Sequence, residues 1–398
     1  MPSTVPHPAP SQSPQPATAQ SSHPSPHQAP APASSQAPPT APKTAPSVAF
    51  LDVPNTARWA AERGPAAIIT DLTNALERDF SRWQELDISP RYASHSREGV
   101  IELMPAADSE TFGFKLVNGH PANPARGFQT VTACGMLVEV SNGYPSFLAE
   151  MTLLTALRTA ATSALAARWL HSHDLISAGE AEGRGVHAMI GTGAQSEFQA
   201  LAFRGELGID RLRVFDVDPA ATAKFAANAA TLGFTDVTVA DSPAEAVRGA
   251  DVITTCTADK RLATVLHDAD LATANPDTLY INAIGGDCPG KTELEPAIME
   301  RAHLVVVEHE EQSRVEGELQ LQPATFPVTE LHEIIRGLAP QPAPHTLTIF
   351  DSVGFGVEDF CTLRYARKSL TGTDFLQQID LIANPDDPKN LFSLVAPR

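Results

Sequence analysis

From residue 186 to residue 351 the chain alternates short apolar runs with helix-like stretches, a rhythm that few folds can use. VHAMI is followed by AQSEFQALAF, RLRVFDV by PAATAKFAANAATLG, and DVTVA by SPAEAVRG; DVITTC, TLYINAI, HLVVVE and TLTIF supply further runs. Strands separated by single helices pair in parallel, so the pattern predicts βαβ units and a doubly wound sheet of the α/β class.

The part before it reads differently. From about 98 to 150 the runs VIELM, TFGFKLV, TACGMLVEV and YPSFLAEM predict antiparallel strands, the last two flanking Asn142-Gly143, a dipeptide suited to a tight hairpin turn. TLLTALRTAATSALAARWL follows, with apolar residues at Leu154, Leu157, Ala161 and Leu165, the spacing of a long helix. Residues 172–186 read as a loop. GVEDFCTLRYARKSL reads as a helix leading out of the parallel sheet, after which the last segment is expected to return to the first domain.

Composition separates off the first 47 residues. They hold 14 of the chain's 34 prolines, no acid and one charge, Lys43, which is too little apolar surface to offset ordering entropy, so this tail is expected to be disordered. It has no basic start followed by an apolar stretch, and no later run approaches 18 apolar residues; a soluble, cytoplasmic protein is expected. The net charge is −19, or −20 without Lys43, which disfavours nucleic acid and anionic membranes as partners. Four scattered cysteines lack the spacing of a zinc site or a disulfide scaffold, and the thirteen histidines form no HExxH cluster, so no metal is expected, at His171 and His173 included.

Three features carry chemistry. GTGAQS (Gly191 to Ser196) joins the strand VHAMI to a helix, where small residues let backbone amides approach a pyrophosphate; Asp216 ends the next strand 25 residues on, where a carboxylate would take the ribose hydroxyls of NAD and repel the 2′-phosphate of NADP. Ser196 stands where the pattern has a third glycine, and is expected to widen the helix-to-strand contact slightly. Arg91, Lys115 and Arg158 are charges inside otherwise small or apolar stretches. Arg158, amid LLTALRTAAT, is hard to place on a solvated face, and guanidinium suits a carboxylate substrate. Finally, NAIGGDCPGKTEL runs from a strand into two glycines and a turn holding Asp287, an acid that no packing rule explains.

Together these blocks carry a resemblance. ASHSREGVIELMP, GFKLVNGHPANPARGFQTVTACG, EMTLLTALRTAATSALAA, GTGAQSEFQALAF, NAIGGDCPGKTEL and FDSVGFGVEDF, in this order and within 48–398, resemble the ornithine cyclodeaminase/mu-crystallin family. The resemblance implies an ammonia-lyase that converts L-ornithine to L-proline and ammonia, linking ornithine and arginine catabolism to proline formation, by hydride transfer to recycled NAD, ring closure and hydride return. Asp287 would be the catalytic acid/base. Arg91 and Lys115 would hold the substrate carboxylate, with Arg158 beside substrate and nicotinamide, Glu102 near the distal amine and Val353 touching the substrate. Thr130, Gly191, Gly193, Ala194, Gln195, Asp216, Thr257, Asn282, Ala283, Ile284, Gly285, Lys291 and Ser352 would line the cofactor. An amino-acid dehydrogenase, a lysine cyclodeaminase or a cyclic-imine reductase shares the same early chemistry, and a non-catalytic crystallin-like nucleotide-binding protein is a further alternative that the intact Asp287, Lys115 and Arg158 disfavour.

The organisation expected is therefore a disordered tail (1–47), a mixed α/β substrate-binding and dimerisation domain (48–170, completed by 357–398) and a Rossmann-type NAD-binding domain (186–356), assembled as a homodimer. Since the tail lacks apolar residues with which to dock, deleting residues 1–47 is expected to leave the melting temperature and the activity unchanged. Thermal denaturation of the shortened protein, beside an activity assay, checks this.

Overall fold

The computed structural model describes residues 47–171, 185–258, 262–276, 279–343 and 345–396. The expected disorder of the tail and nearly all of the expected 172–186 loop fall outside them.

The first half begins with β1 (Val48–Leu51) and two helices, α1 (Val53–Arg63) and α2 (Pro65–Ser81). Then come β2 (Asp87–Ile88), β3 (Tyr92–His95), β4 (Val100–Ala107), β5 (Thr111–Gly119), β6 (Ala133–Glu139) and β7 (Pro145–Glu150), and the Ala- and Leu-rich stretch forms α3 (Thr152–Leu170). Between β6 and β7 Gly143 takes φ +73°, while no other residue of the turn has positive φ. The connection is thus a longer loop than a two-residue primed turn, closed by the Glu139 N–H donating to Tyr144 O at 2.9 Å.

The alternating half supplies β8 (Val186–Ile190), α4 (Ser196–Leu207), β9 (Arg211–Phe215), α5 (Pro219–Thr231), β10 (Asp236–Val239), β11 (Val252–Thr255), β12 (Leu262–Leu266), β13 (Tyr280–Ala283), β14 (Thr292–Leu294), β15 (Leu304–Val307), α6 (Glu310–Glu316), β16 (Thr329–Glu330) and β17 (Thr348–Asp351). Helix α7 (Gly356–Leu370) leads out to β18 (Gln377–Ile379), which pairs antiparallel with β1.

Two large sheets result. One runs β18-β1-β7-β6-β5-β4-β2, with β3 also on β4; it is antiparallel except where β1 lies parallel to β7. The other runs β10-β9-β8-β11-β13-β17-β15-β16 and every pairing in it is parallel. Its order reverses between β8 and β11, the place where an open parallel sheet leaves a crevice at the carboxyl ends of its strands.

Burial explains how the sheets are held. Strand β11 and strands β13 and β17 are buried at every position, as covering on both faces requires. Strand β4 instead alternates, with Val100, Glu102, Met104 and Ala106 inward and Ile101 and Leu103 outward. Helix α7 lies on the inner face of β4, β5 and β6. Glycine makes that approach possible, since a Cβ at Gly356 would come within 2.7 Å of Pro105 O and one at Gly113 within 2.8 Å of the Phe360 ring. The inward face carries two charged residues, Glu102 and Lys115, the latter bonded to Asp359 in the first turn of α7.

Candidate active site

Gly191 follows β8 with φ +104°, and a Cβ there would lie 2.8 Å from the Cys256 carbonyl carbon at the end of β11. Both the backbone conformation and the close approach require glycine. The Thr192 N–H donates to Asp216 Oδ2 at 2.7 Å and the Asp218 N–H to Asp216 Oδ1 at 2.9 Å, which fixes the Asp216 carboxylate against the turn. Gly193 and Ala194 are exposed, with no atom within 4 Å of a Cβ placed on Gly193. Ser196 is fully buried and its hydroxyl donates to Gly193 O at 2.8 Å, which ties the turn to the first residue of the helix.

The amino end of α4 therefore faces open space lined by small residues, with a carboxylate at one side and the buried, unpartnered Gln195 Oε1 at its base. Backbone amides and a helix amino terminus suit a pyrophosphate, and the Asp216 carboxylate suits a ribose diol. These residues fit a dinucleotide.

The crevice continues over β11 and β13. The Thr257 N–H donates to Glu293 Oε1 at 2.9 Å, its hydroxyl contacts the same oxygen, and Lys291 Nζ donates to Thr257 O at 2.6 Å. Gly285 presses on the buried Glu293 carboxylate, where any Cβ would collide. The Glu318 carboxylate accepts from the Glu293 and Leu294 N–H groups at 2.8 and 3.0 Å and sits against Gly286. This packing holds the loop that presents Asp287, whose side chain stays 44% exposed, 3.6 Å from Lys291 Nζ. Burial acts to lower the Lys291 pKa, but the Asp287 and Glu293 charges outweigh it and the ammonium is held above its ordinary value. Asn282 turns its side chain onto α4, donating to Gln199 Oε1 at 3.2 Å and Thr254 Oγ1 at 3.3 Å, while Ala283 is buried in the ladder and the Ile284 N–H donates to Thr255 O.

Three cations from three elements meet in the fold. Lys115 of β5 is 1% exposed, its Nζ 2.9 and 2.8 Å from the two oxygens of Asp359. Arg158 of α3 donates Nη1 to Glu358 Oε2 at 2.6 Å and Nε to Asp359 Oδ1 at 3.1 Å. Arg91 lies 3.2 Å from Glu102 Oε1 and 2.9 Å from Glu316 Oε2, and its Nη2 donates to the carbonyls of Val353 and Gly354. Burial brings Lys115 down to about 8, partly opposed by Asp359, and pushes the Glu358 carboxyl up. Burial likewise raises Glu316 to about 7, with Arg91 opposing and the charges of Glu102 and Asp287 adding to the rise.

Asp287 thus acts on the same carboxyl that Arg91 touches. The sequence reading named the three cations and Glu102 but not Glu308, Glu316, Glu358 or Asp359. Glu308 is fully buried beyond β15; it contacts the Ser352 hydroxyl and accepts from the Val353 and Gly354 N–H groups at 3.0 and 3.3 Å, setting the loop that Arg91 grips. The apolar surroundings of Glu308 in VVVEH and of Glu358 and Asp359 in GVEDF were the available signal. Thr130 stands in the loop after β5, its carbonyl accepting from the His120 N–H at 2.8 Å, and among the described contacts none joins it to the glycine turn.

Comparison with known proteins adds to this geometry. The model of the ornithine cyclodeaminase/mu-crystallin family matches residues 57–374. The ornithine cyclodeaminase of Brucella suis biovar 1 is 49% identical over 347 residues, 87% of this chain and 93% of that protein. Alanine dehydrogenase of Archaeoglobus fulgidus is 30% identical, covering 73% of this chain and 87% of that one. Among solved structures, a lysine cyclodeaminase studied for its recognition of L-lysine, L-ornithine and L-2,4-diaminobutyric acid superposes with TM-score 0.76 at 31% identity, covering 86% of this chain and 97% of that one. An archaeal alanine dehydrogenase dimer with bound NAD gives TM-score 0.73 at 26% identity, over 84% of this chain and all of that one.

The Lys115 environment sets a pH dependence. Its folded pKa of about 8 lies below the roughly 10.4 of an unfolded lysine, so between these values the unfolded chain binds more protons and this group's contribution to stability rises with pH. Asp359→Asn removes the anion, lowers the Lys115 pKa further and is expected to cost about 3 to 5 kcal/mol, the scale for breaking a buried pair. Melting temperatures of both proteins between pH 6 and 10 check both statements.

Proposed function

The chain belongs to the ornithine cyclodeaminase/mu-crystallin family, and we propose that within it the protein is an ornithine cyclodeaminase, an ammonia-lyase that uses NAD to convert L-ornithine to L-proline and ammonia. The strongest support is the 49% identity to a Brucella ornithine cyclodeaminase over 93% of that protein.

Residues 186–356 bind NAD in this reading, and residues 48–170 with 357–398 bind the amino acid. NAD, when bound, would supply the hydride acceptor, and its reduced form the hydride donor, that this conversion requires. The backbone at Gly191, Gly193, Ala194 and Gln195 receives the pyrophosphate, and Asp216 the ribose hydroxyls, which favours NAD over NADP. Thr130, Thr257, Asn282, Ala283, Ile284, Gly285, Lys291 and Ser352 complete the cofactor's surroundings.

Arg91 and Lys115 hold the substrate carboxylate, Arg158 lies beside it, Val353 touches the substrate and Glu102 faces the distal amine. Asp287 moves the proton on which the chemistry turns. The distal amine must be neutral to attack the imine carbon, yet an alkylammonium titrates near 10.4, so freeing it at pH 7 costs about 4 to 5 kcal/mol. The partly open Asp287 carboxylate, 3.6 Å from Lys291 Nζ, accepts that proton. Holding carboxylate and amine on one framework makes ring closure intramolecular.

A homodimer is part of the proposal. Facing away from Lys115, the antiparallel sheet presents two apolar rows in direct cross-strand register: Tyr92, Leu103, Leu116 and Cys134, then Pro105, Phe114, Met136 and Leu148. Leu103 and Leu116 are 37% and 42% exposed in the single chain, a two-row apolar face of the kind a second copy covers. The relative described as an alanine dehydrogenase dimer supports this. No helix among the described residues is long and apolar enough to cross a membrane. A cytoplasmic setting is proposed on the scattered cysteine spacing.

Two measurements test these readings. Leu103→Glu with Leu116→Glu is expected to halve the mass found by sedimentation. With α-deuterated ornithine, catalytic NAD and ordinary water, proline is expected to retain deuterium at C2, with equal ammonia and no accumulation of NADH; stoichiometric NADH without proline would establish an amino-acid dehydrogenase instead.

A further inference from the structure

Glu316 ends α6, a position where a carboxylate gains nothing from the helix dipole. It is 2% exposed and shares its surroundings with two other acids, Glu102 and Asp287. Its Oε2 lies 2.9 Å from Arg91 Nη1, yet off the N–H direction, so that this oxygen has no hydrogen-bond partner; Arg91 Nε, also buried, has none either. Arg91 meanwhile has Glu102 and two backbone carbonyls. A buried carboxylate held near a guanidinium without a bond to it does little to brace that guanidinium. Burial accordingly leaves its carboxyl at about 7, ready to ionise for a better-placed cation.

We propose that Glu316 is a specificity-determining residue that, together with Glu102, receives the distal ammonium of a diamino acid substrate; this rests on the cyclodeaminase reading. Ring closure gives the geometric reason. The attacking nitrogen must come to bonding distance of the carbon that bears the carboxylate, so the anion that catches the ammonium has to stand beside the cation that holds the carboxylate. Glu316 stands beside Arg91. When the substrate carboxylate takes the guanidinium, Glu316 exchanges a misaligned ion pair for an ammonium, and the amine is left within reach of Asp287.

The test compares L-ornithine with L-norvaline, which has the same carbon chain and carboxylate but no distal amine. Each is titrated by calorimetry into the full-length enzyme saturated with NADH, which cannot oxidise either. Glu316→Gln is expected to reduce the ornithine-over-norvaline preference about ten-fold or more, the scale of one charged hydrogen bond, and to leave norvaline binding as it was. An undiminished preference would overturn the proposal, and so would an equal weakening of both ligands, which would mark Glu316 as a brace for Arg91. Should the glutamine variant not fold, Glu316→Asp, which withdraws the charge by one methylene, must weaken ornithine selectively on the same criteria. A wild-type protein that shows no ornithine preference and releases no ammonia would defeat the cyclodeaminase reading itself.

Discussion

Everything near the site depends on two carboxylates at the first turn of α7. Lys115 and Arg158 are almost wholly removed from water, and each depends on Asp359, with Glu358 as a second partner for Arg158. Removing an ion from water costs several kcal/mol unless a partner and hydrogen bonds replace the solvent, so β5, α3 and α7 are stable together in a way that no two of them are. Both acids stand in the first turn of α7, where the helix dipole also favours negative charge. What allows the approach is the pair of glycines at 113 and 356, each of which lets α7 or its side chains lie against the sheet at distances that a Cβ would forbid.

Buried acids do similar work across the crevice. Glu308 accepts backbone N–H groups from the loop after β17, Glu318 from two residues of β14, and Asp351 from the first turn of the short helix at Glu318–Leu321. Each carboxylate is desolvated by the same burial that makes it useful, and burial raises both Glu318 and Asp351. Gly285, Gly286 and Gly317 pack directly on Glu293, Glu318 and Asp351. The loop carrying Asp287 is thus set from behind by acids, while its own acid stays open to the crevice. Acids are ordinarily solvated, yet Glu293, Glu308, Glu318 and Asp351 are fully or almost fully buried.

Local features were legible in the sequence. The strand-helix rhythm marked β8, β9, β10, β11, β13, β15 and β17 but not the short β12, β14 and β16, and the arginine amid LLTALRTAAT is buried as its surroundings suggested. The Asn142-Gly143 hairpin exists, though its loop is longer than a two-residue turn because Asn142 does not take the positive φ such a turn requires. Ser196 in place of glycine suggests only a slightly wider contact, since nothing local reveals that its hydroxyl donates to the Gly193 carbonyl. Glu308, Glu316, Glu358 and Asp359 were passed over, because an acid in a helix or at a strand end is ordinarily a solvated or capping residue.

What the sequence by itself determined follows from short-range physics. Positive φ confines Gly191 to glycine, apolar runs of strand length separated by helices impose a parallel sheet, and Asp216 follows at the end of the next strand. Only the tertiary structure decided which acid meets which cation. Lys115 and Asp359 are 244 residues apart in the chain, Arg158 and Glu358 200, and Arg91 reaches a carbonyl 262 residues away. Such pairings are set by how α7 docks and where the β17 loop ends, and a charge's partner changes its energy far more than its neighbours in sequence do. For that reason the cations could be recognised as unusual from their surroundings, while which carboxylate meets each of them, and the place of Glu316 beside Arg91, is visible only in the folded chain.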